Sequence, residues 1–320
     1  RFSQWIRTTT AGRAAEIQIM YGIGGERILT ETELSHLSGY RDSGPVRIGN
    51  GAWDQTQHDT YGWLLASTWF NTAHGGAFGQ HADPHYERFL NEIVELAIDE
   101  FDVVDEGIWE VRGGARHFLF SKLLMWLAVD LGIRLVGEHD GPEAVPAHWQ
   151  PARDSMRHRI ETEGFDPDRG VFTQAFGSKA LDAAALQIAN IGFLPADDPR
   201  VLATIEAIDE ELGHNGHIYR YRSDDGLEGD EGTFVFCTLW MVNALARSGQ
   251  VERARERFEM VLSHANDLGL LAEEIDAHTG EQLGNFPQAF SHVGIISAAL
   301  AIDAAEKHED GWIPGALSAR

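Results

Sequence analysis

Apolar residues recur at three- and four-residue spacing along nearly the whole chain, and no long stretch alternates with period two. Such a chain forms helices with few, short strands. The periodic segments run over about 53–72, 84–101, 115–136, 144–162, 178–191, 199–212, 233–248, 251–267 and 287–305, and they predict an all-α protein. The connections narrow the class further. Asp168-Arg169-Gly170-Val171-Phe172-Thr173-Gln174-Ala175-Phe176 leads into one helix and Gly284-Asn285-Phe286-Pro287-Gln288-Ala289-Phe290 into another. Laid over one another with Phe172 on Phe286, an offset of 114 residues, they also bring Ala184, Ala185 and Leu186 onto Ala298, Ala299 and Leu300. Asp105-Glu106-Gly107-Ile108-Trp109-Glu110 and Asp230-Glu231-Gly232-Thr233-Phe234 follow the same plan. Alternate helices, each entered through a polar, glycine-containing, aromatic loop, predict a closed ring of helical hairpins with the inner-helix N-termini around one mouth. A functional site is expected in those loops. Gly75-Gly76 and residues 137–142 read as plain turns, and no low-complexity linker divides residues 1–320, so one domain is expected.

Charge excludes some partners. The chain carries 50 acidic against 25 basic residues, a net charge of −25, and its lysines are Lys122, Lys179 and Lys307 alone. Nucleic acid and anionic membrane are poor partners for such a surface. Acidic excess with scarce lysine suggests a host with high internal salt, the alternative being a GC-rich genome that favours arginine. No run approaches the roughly 18 uninterrupted apolar residues of a membrane span. Cys237, the single cysteine, lies within the apolar run 234–240 and reads as a buried thiol rather than a nucleophile. With no basic-then-apolar leader at the start, a cytoplasmic location is expected.

Hydrolysis of a glycosidic bond needs one carboxylic acid to protonate the leaving oxygen and a second carboxylate on the opposite face. Glu110, in Ile108-Trp109-Glu110-Val111-Arg112-Gly113-Gly114, suits the first task, because an indole can desolvate the acid. Read locally, an exposed loop glutamate paired with Arg112 is the simpler account. Glu273, with Glu274 and Asp276 close behind it, suits the second; a solvated turn or a cation site are the alternatives, although the Asp-x-Asp-x-Asp-Gly calcium spacing is missing. Trp109, Phe172, Gln174, Tyr219, Arg220, Tyr221 and Arg222 supply rings that stack on pyranose faces and donors for hydroxyls. His74, His81, His85, His214 and His217 match no metal-site spacing, neither Gly22-Ile23-Gly24-Gly25 nor Gly75-Gly76 is a phosphate loop, and no cofactor is expected.

Taken in order, six segments resemble the prokaryotic branch of glycoside hydrolase family 15, which contains glucoamylases, glucodextranases and trehalases. They are Gln18–Ile23, Pro45–Asn50, Gly107–Gly113, Arg116–Phe118, Leu271–Asp276 and Leu283–His292, and the resemblance runs from about residue 1 to 305. It implies an (α/α)6 barrel and inverting hydrolysis of α-glucosides. Glu110 would be the general acid and Glu273 the general base, with Trp109, Arg112, His117, Gln174, Arg222 and Gln288 binding the sugar. The family's N-terminal β-sandwich and a Trp-x-Arg-Asp type motif of the first barrel helices have no counterpart here. Phe2-Ser3-Gln4-Trp5-Ile6 resembles the tail of the second barrel helix. The expectation is therefore a barrel short of about two of its twelve helices, either completed by a separate N-terminal segment or another subunit, or compromised. A glucoamylase-like release of β-glucose is the first reading, α,α-trehalase the second, and a non-catalytic sugar-binding fragment the third.

Overall fold

The computed structural model describes residues 2–73, 84–111, 113–222 and 232–308. The helices are α1 (Phe2–Thr9), α2 (Asp59–Ala73), α3 (Pro84–Asp99), α4 (Leu119–His139), α5 (Trp149–Glu163), α6 (Gln187–Asn190), α7 (Pro199–Leu212), α8 (Val235–Arg247), α9 (Val251–Ser263) and α10 (Ala289–Lys307). Among the described residues nine strands of two residues each pair antiparallel: β1 (Thr32–Glu33) with β2 (Arg47–Ile48), β3 (Phe165–Asp166) with β4 (Val171–Phe172), and β5 (Gly213–His214) with β6 (His217–Ile218). The remaining three, β7 (Thr233–Phe234), β8 (Glu274–Ile275) and β9 (Gln282–Leu283), form a small sheet in that order. Chain contacts divide the molecule into two compact units, 1–117 with 124–154, and 118–123 with 155–320.

In the first unit the core lies along α3, the body of α4 and the start of α5. Leu124, Met125, Ala128, Val129 and Leu131 of α4 are fully buried, as are Ile93, Val94 and Ala97 of α3. Trp149 is fully buried too, and its indole N–H donates to Glu95 Oε1 at 2.9 Å, which satisfies the polar edge of an otherwise apolar ring. The buried Asp130 is neutralised by Arg134 at 2.9 Å and Arg153 at 3.3 Å.

The second unit is organised around α8, whose apolar residues face all directions. Val235, Cys237, Leu239, Met241, Val242, Ala244 and Leu245 are all inaccessible to solvent, the pattern of a helix enclosed by its neighbours. Its packing partners include α6, α9 and α10. α7 begins where expected: the Asp198 side chain accepts the Arg200 N–H at 2.9 Å and Pro199 occupies the first turn. One face of α10 packs on α8, with Gly294 against Phe236 and Leu239. The other exposes Phe290, Val293 and Ile296. By length and mean hydropathy α10 is of the kind that could cross a membrane, properties an apolar core helix shares, and Ser291, His292, Ser297 and Asp303 interrupt its apolar run.

Several predicted helices are shorter than their periodicity suggests, among them those over 53–72 and 178–191. Residues 53–58 are not helical, because their backbone and side chains hydrogen bond to the loop after α3 instead. Over 178–191, regular α-helix is confined to Gln187–Asn190 after a short 3-10 turn. Asp182 starts that turn by accepting the Ala184 N–H at 2.7 Å, and residues 179–181 before it have no regular secondary structure.

Candidate active site

Glu110 stands in a loop closed at its base by a two-way backbone bridge: Asp105 N–H to Arg116 O at 3.0 Å and Arg116 N–H to Asp105 O at 2.9 Å. A strap formed by residues 50–58 runs beneath it. The Glu106 N–H donates to Thr56 O at 3.1 Å, the Thr56 N–H returns a bond to Glu106 Oε2 at 2.9 Å, and the His58 N–H reaches Asp105 Oδ2 at 3.0 Å. At the tip, Glu110 adopts φ +55°, a left-handed conformation that a residue with a Cβ takes only under constraint. The constraint is visible: its N–H bonds Gly107 O at 3.3 Å, and Gln55 Nε2 reaches its carbonyl at 3.5 Å.

The half-buried Glu110 carboxylate takes long hydrogen bonds from one amide, Asn50 Nδ2, at 3.3 and 3.4 Å. The orientation of that amide follows from its other end, where Asn50 Oδ1 accepts the Ala52 N–H at 2.8 Å. Gly49 fixes the approach. At φ +77°, an added Cβ would lie 2.3 Å from Thr30 O, so only glycine delivers Asn50 to this place. Trp109 is half-buried beside Glu110 in sequence, and His117 is half-buried just before α4. Arg112 lies outside the described residues.

In the second unit, Glu273 enters β8 and is gripped more firmly. Its Oε2 accepts the Asn285 N–H at 3.1 Å and Asn285 Nδ2 at 3.0 Å, while Oε1 accepts Gln288 Nε2 at 3.2 Å. Its backbone is fixed on both sides, the N–H to Asn285 O at 2.9 Å and the carbonyl to the Val235 N–H at 3.1 Å. Gln288 also starts α10, its Oε1 accepting the Phe290 N–H at 3.4 Å, so one side chain both caps the helix and orients the glutamate. Gly284 makes the close approach possible: at φ +73°, an added Cβ would stand 2.8 Å from Glu273 Oε2.

The neighbouring acids have other work. Glu274 Oε2 accepts the Gly232 N–H at 3.2 Å. Asp276 Oδ1 takes the His278 and Thr279 N–H groups, and those bonds, the His278 one foremost, hold its carboxyl below the usual range. Among the described residues no three His, Cys, Asp or Glu side chains are placed to hold a metal ion; His74 and His81 lie outside them.

The other expected sugar ligands are distributed unevenly. Gln174 is only 5% exposed and its amide donates to Asp182 Oδ2 at 3.2 Å, an arrangement that ties the loop before α6 together. Arg222 is exposed, its guanidinium 4.8 Å from the Tyr219 ring centre, and Arg220 stacks on Phe234 at 4.8 Å. Asn50, Gln55 and Asn285 touch the two glutamates and escaped the sequence reading. Asn50 and Asn285 each stood in a motif that drew attention to other residues.

A family model described as glycosyl hydrolases family 15 matches residues 1–300. The chain belongs to this family. Among family members, a trehalase from Mycolicibacterium smegmatis is 45% identical over 302 residues, covering 93% of this chain and 44% of that protein. A trehalase from Thermoplasma acidophilum is 38% identical over 294 residues, covering 92% and 50%. The chain thus spans about half the length of the curated relatives it matches. A bacterial glucoamylase solved with acarbose superposes with a TM-score of 0.64 at 13% identity, covering 82% of this chain and 42% of that one. That likeness shows the fold, the (α/α)6 class that the family resemblance implies.

Proposed function

We propose that this family 15 chain is the catalytic part of an α,α-trehalase, with Glu110 as general acid and Glu273 as general base. The observation that carries the substrate is the identity of 45% and 38% to two trehalases across nine-tenths of the chain. In this reading Glu110 gives its proton to the glycosidic oxygen. Glu273 takes a proton from water, which attacks the anomeric carbon from the opposite face and inverts it. The bond broken is carbon to glycosidic oxygen; the bond formed is carbon to water oxygen, and both protons are accounted for by the two carboxyls.

Local geometry supports the assignment of roles. A base must hold a fixed direction toward one water molecule, and three donors set the Glu273 carboxylate. An acid must exchange its proton in each cycle, and Glu110 has one amide at long range. Trp109, Arg112, His117, Arg222 and Gln288 are the proposed sugar-binding set. The whole enzyme is proposed to use further polypeptide, because this chain accounts for only 44% to 50% of the two trehalases.

Parallel assays on trehalose, maltose and isomaltose test the substrate, with trehalose expected to be turned over fastest. Proton NMR of the first product tests inversion: one β-glucose per trehalose cleaved is expected, and α-glucose alone would overturn it. Binding of sugar with no turnover of any of the three would favour a non-catalytic module.

A further inference from the structure

Beneath the Glu110 loop lies a pair of buried carboxyls to which the proposed reaction gives no role. Asp59 opens α2 and is 6% exposed; Asp105, at the base of the Glu110 loop, is fully buried. They are linked through one peptide unit, since the His58 N–H donates to Asp105 Oδ2 at 3.0 Å and Asp59 is the next residue. Asp59 Oδ1 is buried and, among the described residues, has no hydrogen-bond partner. Burial first, then the charge of Asp105, pushes the Asp59 carboxyl up to about 7. Two carboxylates enclosed together do not both ionise without a large penalty.

Among the described residues, the groups around the pair come from three places. His58 precedes α2, and its Nε2 lies 3.5 Å from Glu100 Oε2 just beyond α3. Tyr61, in the first turn of α2, donates its hydroxyl to the same oxygen at 2.7 Å. Trp63, further along α2, hydrogen bonds the Asp59 side chain. The Glu110 loop supplies Asp105 itself, whose backbone is bridged to that of Arg116.

We infer that Asp59 is a positioning residue for Glu110: its uncharged carboxyl lets Asp105 stay on the His58 N–H, and ionisation of Asp59 drives Asp105 from that bond. The consequence passes along covalent neighbours. Asp105 is followed by Glu106, which is doubly bonded to Thr56, and the Glu106 carbonyl accepts the Val111 N–H at 3.3 Å on the far side of Glu110. Displacement of Asp105 therefore turns the Glu110 carboxyl away from its working direction, and turnover falls as pH rises through neutrality while substrate affinity is retained.

The inference rests on Glu110 being the proton donor, so the test reads the two separately. Kcat and KM for trehalose are measured from pH 5 to 9 in the full-length protein and in Asp59→Asn, whose amide stays uncharged. Infrared difference spectra over the same range follow the protonated carboxyl. A single group with its midpoint near 7 loses about tenfold of its protonated form by pH 8. The wild type is expected to lose a corresponding share of kcat, and Asp59→Asn less than twofold, with KM unchanged in both. The neutral-range carboxyl band is expected in wild type and in Glu110→Gln and absent from Asp59→Asn. Should Asp59→Asn fail to fold, Asp105→Asn serves instead and is expected to move that band's titration to lower pH. A wild-type alkaline limb in Asp59→Asn, or no carboxyl titrating near neutrality, overturns the inference. An active Glu110→Gln that keeps the band overturns only the acid assignment.

Discussion

The two glutamates are held in opposite ways. Glu110 sits at the tip of a loop, in a left-handed backbone conformation, with one amide at 3.3 to 3.4 Å from its carboxylate. Glu273 leads directly into the central strand of a three-stranded sheet, with its backbone bonded on both sides and three donors on its carboxylate. The difference matches what each proposed role demands. A group that must gain and lose a proton in each cycle tolerates few fixed donors, since donors favour the charged form, whereas a group that aims a water gains from them.

The largest effects should come from the carboxyls themselves. Glu110→Gln and Glu273→Gln are each expected to lower kcat by about 10²- to 10⁴-fold, the range for a general acid or base, with unchanged helical circular dichroism. Turnover near the wild-type rate in either would sink that assignment.

Next come the donors, where the contrast between the two grips is put at risk. Asn285→Ala and Gln288→Ala each remove a bond to a charged oxygen, a loss of roughly 1.5–3 kcal/mol, or about ten- to a hundredfold in kcat if the orientation matters fully. Asn50→Ala removes a longer contact and should lower kcat by less than about tenfold. If Asn50→Ala proves the more damaging in steady-state assays, the idea of a loosely held acid and a tightly held base is wrong.

Gly284→Ala probes the same grip through the backbone. It strains a φ of +73° and pushes a methyl to 2.8 Å from Glu273 Oε2. A loss of about 1–2 kcal/mol in stability, read as a lower Tm, should accompany a fall in kcat. Gly249→Ala, equally left-handed but with open space around the added methyl, should lower Tm without touching kcat.

The smallest expected effects separate the two units by pH. Asp59, raised by burial from an ordinary carboxyl to about 7, contributes most to stability below pH 4 and loses that contribution as pH climbs through 7. His217 is the reverse. Burial first, then His264, Arg257 and His214, lower it to about 4, so its contribution is present above about 6.5 and is lost as pH falls toward 4. Thermal melts should therefore show Asp59→Asn flattening the curve on its neutral side and His217→Asn flattening it on its acid side. A shared response in both variants would break the distinction.

How far the sequence reached differs from one element to another. The helices α7 and α9 begin at or next to their expected residues, because Asp198-Pro199 and the apolar spacing of each act within the helix itself. Residues 53–58 carried the same periodic apolar pattern but became a strap, since their donors and acceptors found Glu106 and Glu110 rather than each other. Asp59 and His217 gave no local sign of their titration, which arises from burial and from charges distant in sequence.

The sequence alone settled the all-α class, the repeated loop-to-helix plan, and the candidacy of Glu110 and Glu273, because periodicity, turn residues and ordered motifs are local or linear properties. Only the tertiary structure decided that Asn50 reaches Glu110 across 60 residues of chain, that Asn285 and Gln288 converge on Glu273, and that Asp59 and Asp105 are both buried, with the His58 N–H bonded to Asp105. Those facts depend on which distant segments share a few ångströms of space, and packing, not spacing along the chain, sets that.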